Sequence, residues 1–422
     1  MKPTGPAETR RARNSGLSRT FSALQNKDFR YLWVGSAFIS AGNQVQQIAM
    51  GWLVLQLTDS PFWVGVVLGV RALPILLVGP LAGVAIDRLD RKKLFLTAQA
   101  ALVVMAFLFA VDVQVDRVTE LHALLFSFLL GLDSALSQPV RQALIVNTVP
   151  EEDLTNAIAL NNSANGVTQS IAPLISGTMI AVMGVSGNFF IQSAAYLAVF
   201  LIILPMKTPY RRGAAERTTV VKNLVEGVRH VRSDTILLLL IILVFIPSLF
   251  VHSTQNLLSV FAVDVFHGGA VELGALGAAM GIGSLMATFA IAALGDYQSR
   301  GRINTGSIIL VTLALTFFGI TSHFGSLGVS LVVIGVMGFF NTSFRLVNNA
   351  LVQSRTPDAL RGRVTSIYVM DHGFQPLGSL VLGALAEEGV LGVKNAVVLA
   401  GVVAIAVTVF IGLRFRQLWS LK

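Results

Sequence analysis

The chain has 422 residues, 54% of them apolar and only 13% charged, with a net charge of +9. Its mean hydropathy is +0.72, and its charged share is about half that of soluble domains. Such a composition excludes a soluble enzyme, a nucleic-acid module and a disulfide scaffold. The lack of cysteine removes thiol redox chemistry and thiolate metal sites, so no metal and no cofactor are expected.

Residues 1–28 are basic and polar without an apolar core, which reads as a cytoplasmic tail and not a cleaved signal peptide. Beyond them come apolar runs long enough to cross a ~30 Å hydrocarbon core. Twelve spans are expected, at about 31–57, 61–86, 94–113, 121–141, 155–183, 187–205, 236–262, 271–294, 303–322, 326–346, 362–386 and 392–413. The polar stretch 206–234 divides them into an N-terminal six-helix bundle (29–205) and a C-terminal one (235–415), with a short tail at 416–422. Part of that linker, near Thr218–Val231, has the pattern of an amphipathic helix lying on the membrane surface.

Lys and Arg gather in the first tail, the even-numbered loops and the last residues, whereas Arg117 and Lys394 stand alone on the other side. The positive-inside rule then places both termini in the cytoplasm. The basic charge is a topology signal, and no nucleic-acid partner is expected. The halves also repeat. Gly83–Lys93 (GVAIDRLDRKK) aligns with Ala292–Arg302, and Arg141–Pro150 with Asn348–Pro357. Parallel repeats of six helices are a transporter architecture.

Within each half the third spans of the triplets are nearly pure hydrocarbon and suit lipid contact. The middle spans concentrate Gly and Pro, which let helices approach closely. The first spans carry polar stripes. Ser36, Ser40, Asn43 and Gln47 share one helical face, as do Ser248, His252, Gln255 and Ser259. Ser134, Gln138 and Arg141 match Asn341, Arg345 and Asn348. Polar groups in hydrocarbon need partners or water, so four matched stripes predict a polar cavity lined by Ser40, Asn43, Gln47, Ser134, Gln138, His252, Gln255 and Arg345. Gln46 and Asn256 fall off these faces.

Charges at mid-membrane cost about 2.5–3.5 kcal/mol each even on the insertion scale. Arg71 and Asp133 lie at depths of ~15 and ~18 Å, so they can pair. Asp371, beside His372, is a rival partner for Arg71. Such a pair either holds helices together or exchanges a proton during transport.

GVAIDRLDRKK matches the loop signature G-x-x-x-D-R-x-x-R-[RK] of the major facilitator superfamily, with Gly83, Asp87, Arg88, Arg91 and Lys92 in place and Asp90 where that family usually has Gly. The segments starting at Asn26, Arg71 and Gln138 resemble its drug-efflux branch, which includes the enterobactin exporter and macrolide efflux proteins. The resemblance covers the whole chain. It implies an all-α polytopic membrane protein of two pseudo-symmetric six-helix bundles, a midplane cavity and alternating access by rocking. Two departures stand out. The span 5 motif reads APLISG, with Ala172 and Ser176 replacing glycines, and Asp133 and Ser134 stand where many proton-coupled exporters have an Arg-centred signature.

The reading is a non-enzymatic exporter of an amphiphilic drug or siderophore-like molecule, acting by proton-coupled antiport across the bacterial inner membrane. A lysophospholipid flippase or an uptake permease on the same fold is the alternative. A small-molecule substrate and membrane lipid are the expected partners, and the expected state is a monomer. Arg71, Asp133, Asp371 and His372 are the candidates for proton coupling or an ion pair. Gly83, Asp87, Arg88, Arg91, Lys92, Asp296 and Arg300 are the candidates for gating, with Asp87 meeting the start of span 11 near Arg361–Thr365.

Overall fold

The computed structural model describes residues 22–75, 77, 78, 90–208, 220–294, 299–357, 360–368 and 370–421. The described residues form helices and no strands. In chain order they are α1 (Lys27–Thr58), α2 (Pro61–Val70), α3 (Arg91–Gln114), α4 (Glu120–Thr148), α5 (Leu154–Ile203), α6 (Val220–Ser233), α7 (Thr235–Val265), α8 (Ala270–Leu294), α9 (Arg300–Ser322), α10 (Leu327–Arg355), α11 (Arg361–Tyr368), α12 (Asp371–Ala386) and α13 (Gly392–Arg414). Among the described residues, eight segments are long and apolar enough to cross a membrane, and two shorter apolar helices, Pro61–Ile75 and Gly373–Ala386, accompany them.

A straight α5 would measure about 75 Å at 1.5 Å per residue, more than twice a hydrocarbon core. Gly184 resolves this with a left-handed φ of 72° that a side chain would resist. The chain folds back there, so that Asn188 Nδ2 donates to the Ser176 hydroxyl at 2.7 Å. That hydroxyl in turn donates to the Val45 carbonyl on α1 at 3.1 Å. Serine in place of glycine in the span 5 motif thus serves as an anchor. Asp90 acts similarly at the head of α3. Its carboxylate accepts from the backbone N–H of Lys92 and Lys93, satisfying orphan donors that glycine would leave bare.

The hydrocarbon-rich helices turn large apolar side chains outward. Leu108 on α3 is 61% exposed, and Phe410 and Leu413 on α13 are 67% and 68% exposed. A soluble surface would not tolerate this, and lipid provides the missing solvent. The Gly-rich helices instead bring the two chain halves together. A β-carbon on Gly177 of α5 would overlap Gly274 of α8, and one on Gly65 of α2 would overlap the Ser379 carbonyl of α12.

The beginning of α1 and both ends of α5 meet near the first residues, where Ala23 N–H donates to Asn156 and Lys207 N–H to Asp28. The start of α9 meets the last residues through Gly301 N–H and the Leu421 carbonyl at 2.9 Å. Arg91, Lys92 and Lys93 at the start of α3 and Arg300 and Arg302 at the start of α9 stand at this terminal end. The opposite, distal end holds Ser60 of the first half against Glu387 of the second.

The linker helix α6 packs against α11. Its Glu226 pairs with Arg363 of α11, Gly227 approaches the Arg363 backbone, and Val231 is buried.

Asp234 opens α7 as its N-cap. Its carboxylate accepts from Ile236 and Leu237 N–H at 2.9 and 3.2 Å and pairs with Arg355 at 3.2 Å. Burial pushes its carboxyl up, but the backbone donors and Arg355 outweigh this and hold it below the usual range. A depressed carboxylate contributes stability above its unfolded pKa and loses it as pH falls through the folded value. Asp234→Ala should therefore cost about 1 kcal/mol of thermal stability in detergent at neutral pH, and the difference from the parent should vanish as the pH is lowered below about 4. An unchanged difference at low pH would sink this assignment.

Candidate functional site

The polar stripes gather into two clusters, one in each half of the chain. In the first half, α2 breaks at Arg71, three residues before Pro74. That proline has no N–H to give the Val70 carbonyl. The break lets the Arg71 backbone seat on α4, where a β-carbon on Gly131 would overlap the Arg71 carbonyl. From this seat the guanidinium donates to Ser134 Oγ at 3.2 Å and reaches Gln46 Oε1 at 3.5 Å. Asp133 accepts instead from Ser137 Oγ at 2.7 Å. It lies within electrostatic reach of Arg71 and Arg141, yet among the described residues it forms an ion pair with neither. The buried Arg141 donates to Gln138 Oε1 at 2.8 Å.

Across a small cavity of about 20 Å³ from these groups stand Asn43, Gln99 and Tyr196. Tyr196 OH donates to Asn43 Oδ1 at 2.9 Å and accepts from Gln192 Nε2 at 3.0 Å. Gln99, Gln192 and Tyr196 are absent from the stripes read in the sequence. Their signal was polarity in otherwise hydrocarbon helices, with Gln192 and Tyr196 four residues apart on one face. Ser40 is half-buried on α1.

The second cluster centres on Asp371, which is fully buried in the first turn of α12, where the helix dipole favours a carboxylate. Its Oδ2 accepts from Ser248 Oγ at 2.9 Å and pairs with Arg345 Nη1 at 3.3 Å. The same Nη1 lies 3.2 Å from His252 Nε2, and His252 Nδ1 lies 3.3 Å from Gln255 Oε1. Asp371 is therefore the partner of Arg345, not of Arg71. α2 does touch α12 at Gly65 and Ser379, but Asp371 stands at the start of α12, where it meets Ser248 of α7 and Arg345 of α10.

Gln46 and Asn256, which fall off the predicted faces, make decisive contacts. Gln47 Nε2 donates to Asn256 Oδ1 at 2.6 Å, and Asn256 Nδ2 donates to Ser379 Oγ at 2.8 Å. This chain of bonds joins α1, α7 and α12 across the two halves. The cause lies in α7, which contains π-helical turns at Pro247–Val251 and Phe261–Val265. Each π turn adds a residue and rotates the helix beyond it by about 100°, so a regular spacing does not track one face.

Of the gating candidates, Gly83, Asp87, Arg88 and Asp296 lie outside the described residues, as does the His372 side chain. Arg91 Nη1 donates to Asn147 Oδ1 at 3.4 Å and Lys92 Nζ to the Leu204 carbonyl at 2.7 Å, tying α3 to α4 and the end of α5. Arg300 opens α9.

A profile of the family described as transmembrane secretion effector matches residues 18–419. The chain belongs to that family, within the drug and siderophore efflux branch of the major facilitator superfamily. It is 26% identical to the staphyloferrin A transporter of Staphylococcus aureus over 90% of this chain and 94% of the relative. It is 26% identical to the multidrug efflux pump Tap of Mycolicibacterium fortuitum over 86% and 92% of the two chains. Its fold is that of the nucleoside transporter NupG, with a TM-score of 0.68 at 14% identity over 94% of this chain and 100% of the other. The protein is thus a multi-pass, non-enzymatic small-molecule transporter.

The pairing assignment has a direct check. In a double-mutant cycle read by thermal unfolding in detergent, Arg345→Leu and Asp371→Asn should couple by roughly 1–2 kcal/mol, while Arg71→Leu and Asp371→Asn should add within about 0.5 kcal/mol. Coupling in the second cycle and not the first would restore the Arg71 pairing.

Proposed function

We propose that the transporter exports an amphiphilic, drug- or siderophore-like molecule by alternating access of two six-helix bundles with twelve spans, driven by proton antiport across the bacterial inner membrane. Both termini are cytoplasmic in this reading, because the terminal end carries the Lys/Arg clusters. The observation that carries it is where the halves touch. Gln47 with Asn256, Gly65 with Ser379, Gly177 with Gly274, and Ser60 with Glu387 all lie from mid-span to the distal end. Closure at that end leaves the clusters to be reached from the terminal, cytoplasmic side, which is the loading state of an exporter.

Asp133 is the proton carrier in this scheme. Asp371 is already neutralised by Arg345, whereas Asp133 is held by a serine and has charges near it without an ion pair. The names of its relatives, which include a macrolide efflux protein of Streptococcus pyogenes, support an amphiphilic substrate. In everted vesicles, a pH gradient should drive accumulation of at least one radiolabelled amphiphile from a panel of acidic, zwitterionic and basic compounds that includes a macrolide, and an uncoupler should abolish it. Asp133→Asn should lower this driven accumulation at least tenfold while leaving energy-independent counterflow. Gradient-independent transport in the parent would overturn the antiport reading.

The distal contact supplies a second test. Glu387 Oε1 accepts from Ser60 Oγ and, at 3.0 Å, from Phe62 N–H in the first turn of α2. A carboxylate at a helix N-terminus is favoured by about 0.3–1 kcal/mol, and this one stabilises only the distally closed state. The chain has no native cysteine, so a single cysteine at Ser259 reports cleanly. Glu387→Gln should speed its labelling by an impermeant maleimide from outside several-fold. Equal rates would show that Glu387 does not hold the gate.

A further inference from the structure

The interior charges of the two clusters do not balance. Arg345 and Asp371 form one pair. In the first half, the described interior holds Arg71 and Arg141 against the single carboxylate of Asp133. One positive charge is left in a region that hydrocarbon surrounds, and a buried charge without a counter-charge is strongly disfavoured. Arg141 shows where the deficit falls. The residue is 6% exposed, Nη2 is used by Gln138, and Nη1 is buried with no partner among the described residues. Arg141 lines the small cavity shared with Asp133, Asn43 and Tyr196. Gln99, which lines the same cavity, also buries its Oε1 without a partner among the described residues. One small cavity thus offers an unused charged donor and an unused neutral acceptor. Its volume of about 20 Å³ admits one water, so a larger guest must widen it from the Gln138 side, which is exposed.

We propose that Arg141 seats an anionic group of the transported molecule, so that the substrate class is acidic or zwitterionic amphiphiles carrying a hydrogen-bond donor beside the acid, and not lipophilic cations. The inference rests on the reading of this cavity as part of the substrate path. The anion supplies the missing counter-charge and a charge-assisted hydrogen bond to Nη1. The neighbouring donor of the guest bonds Gln99 Oε1 or the Asp133 carboxylate. A donor bound to Asp133 competes with a proton for the same oxygens, which is the linkage that antiport requires. A cation placed here would meet two guanidinium groups.

Salicylate carries both groups, and salicylamide has nearly the same shape without the charge. Equilibrium binding of each radiolabelled probe to the detergent-purified full chain at pH 7 tests the proposal. The parent should bind salicylate saturably and at least tenfold more tightly than salicylamide. Arg141→Gln should erase that preference and Arg141→Lys should keep part of it. Asp133→Asn, which removes the opposing carboxylate, should tighten salicylate several-fold and leave salicylamide unchanged. That variant and the comparison of probes on the parent stand even where Arg141→Gln fails to fold. Equal binding of the two probes, no saturable salicylate binding by the parent, or an intact preference in a folded Arg141→Gln protein would each overturn it. The vesicle panel separates the failures. Driven accumulation of basic members such as the macrolide alongside equal probe binding removes the anion seat and leaves the export reading, whereas no driven accumulation of any member removes the export reading itself.

Discussion

Hydrocarbon cannot hydrogen-bond, and most features of this molecule derive from that limit. Each backbone N–H and C=O must find a partner within its own segment, which leaves helices as the form for an open-ended chain of this kind. Each polar side chain must turn away from lipid or bring a partner with it. The long apolar residues of α3 and α13 accept lipid as solvent, while Arg71, Asp133, Arg345 and Asp371 withdraw inward. The fold at Gly184 obeys the same limit, because α5 unbent would carry one end far into water.

Withdrawing charges inward creates a second problem, which the two halves handle differently. The Arg345 and Asp371 pair is closed, backed by Ser248 and His252. The first-half cluster is open, since serines and glutamines occupy its arginines and carboxylate in part. A closed pair adds rigidity, and an open one retains the capacity to bind or exchange. The internal repeat thus supplied two similar stripes that came to hold different electrostatic states. Both charged breaks, at Arg71 in α2 and at Asp371 in α12, fall in Gly/Pro-rich helices at the seam between halves. Charge and the close-packed seam between the halves are therefore placed on the same elements.

The seam itself is built from absence of side chains. Gly177 against Gly274 and Gly65 against Ser379 bring backbones into contact, which gains dispersion without interlocking knobs. Smooth contacts of this kind part with little rearrangement, and a few directional bonds, such as Gln47 to Asn256 and Phe62 to Glu387, add preference for one arrangement. A deeply interdigitated interface would have made the same surface an immobile core.

The membrane class, the lipid-facing helices and the polarity of the first spans were legible in the sequence, because each rests on local composition or on a fixed helical period. Membership of the family was legible for the same reason, through a loop signature whose residues are contiguous. Depth was also legible, since 1.5 Å per residue places Arg71 and Asp133 at one level, and Arg71 does bond Ser134 beside Asp133. Azimuth and neighbour were not. Whether Asp371 meets Arg71 or Arg345 depends on where along α12 and on which side of it the carboxylate stands, since α2 and α10 both reach that helix, and the π turns of α7 alter a face that a 3.6-residue period would extrapolate. The roles of Tyr196, Gln99 and Asn256 likewise emerged only once distant helices were packed. Local period and polarity are properties of the chain, whereas the choice of partner for a buried charge belongs to the packed bundle.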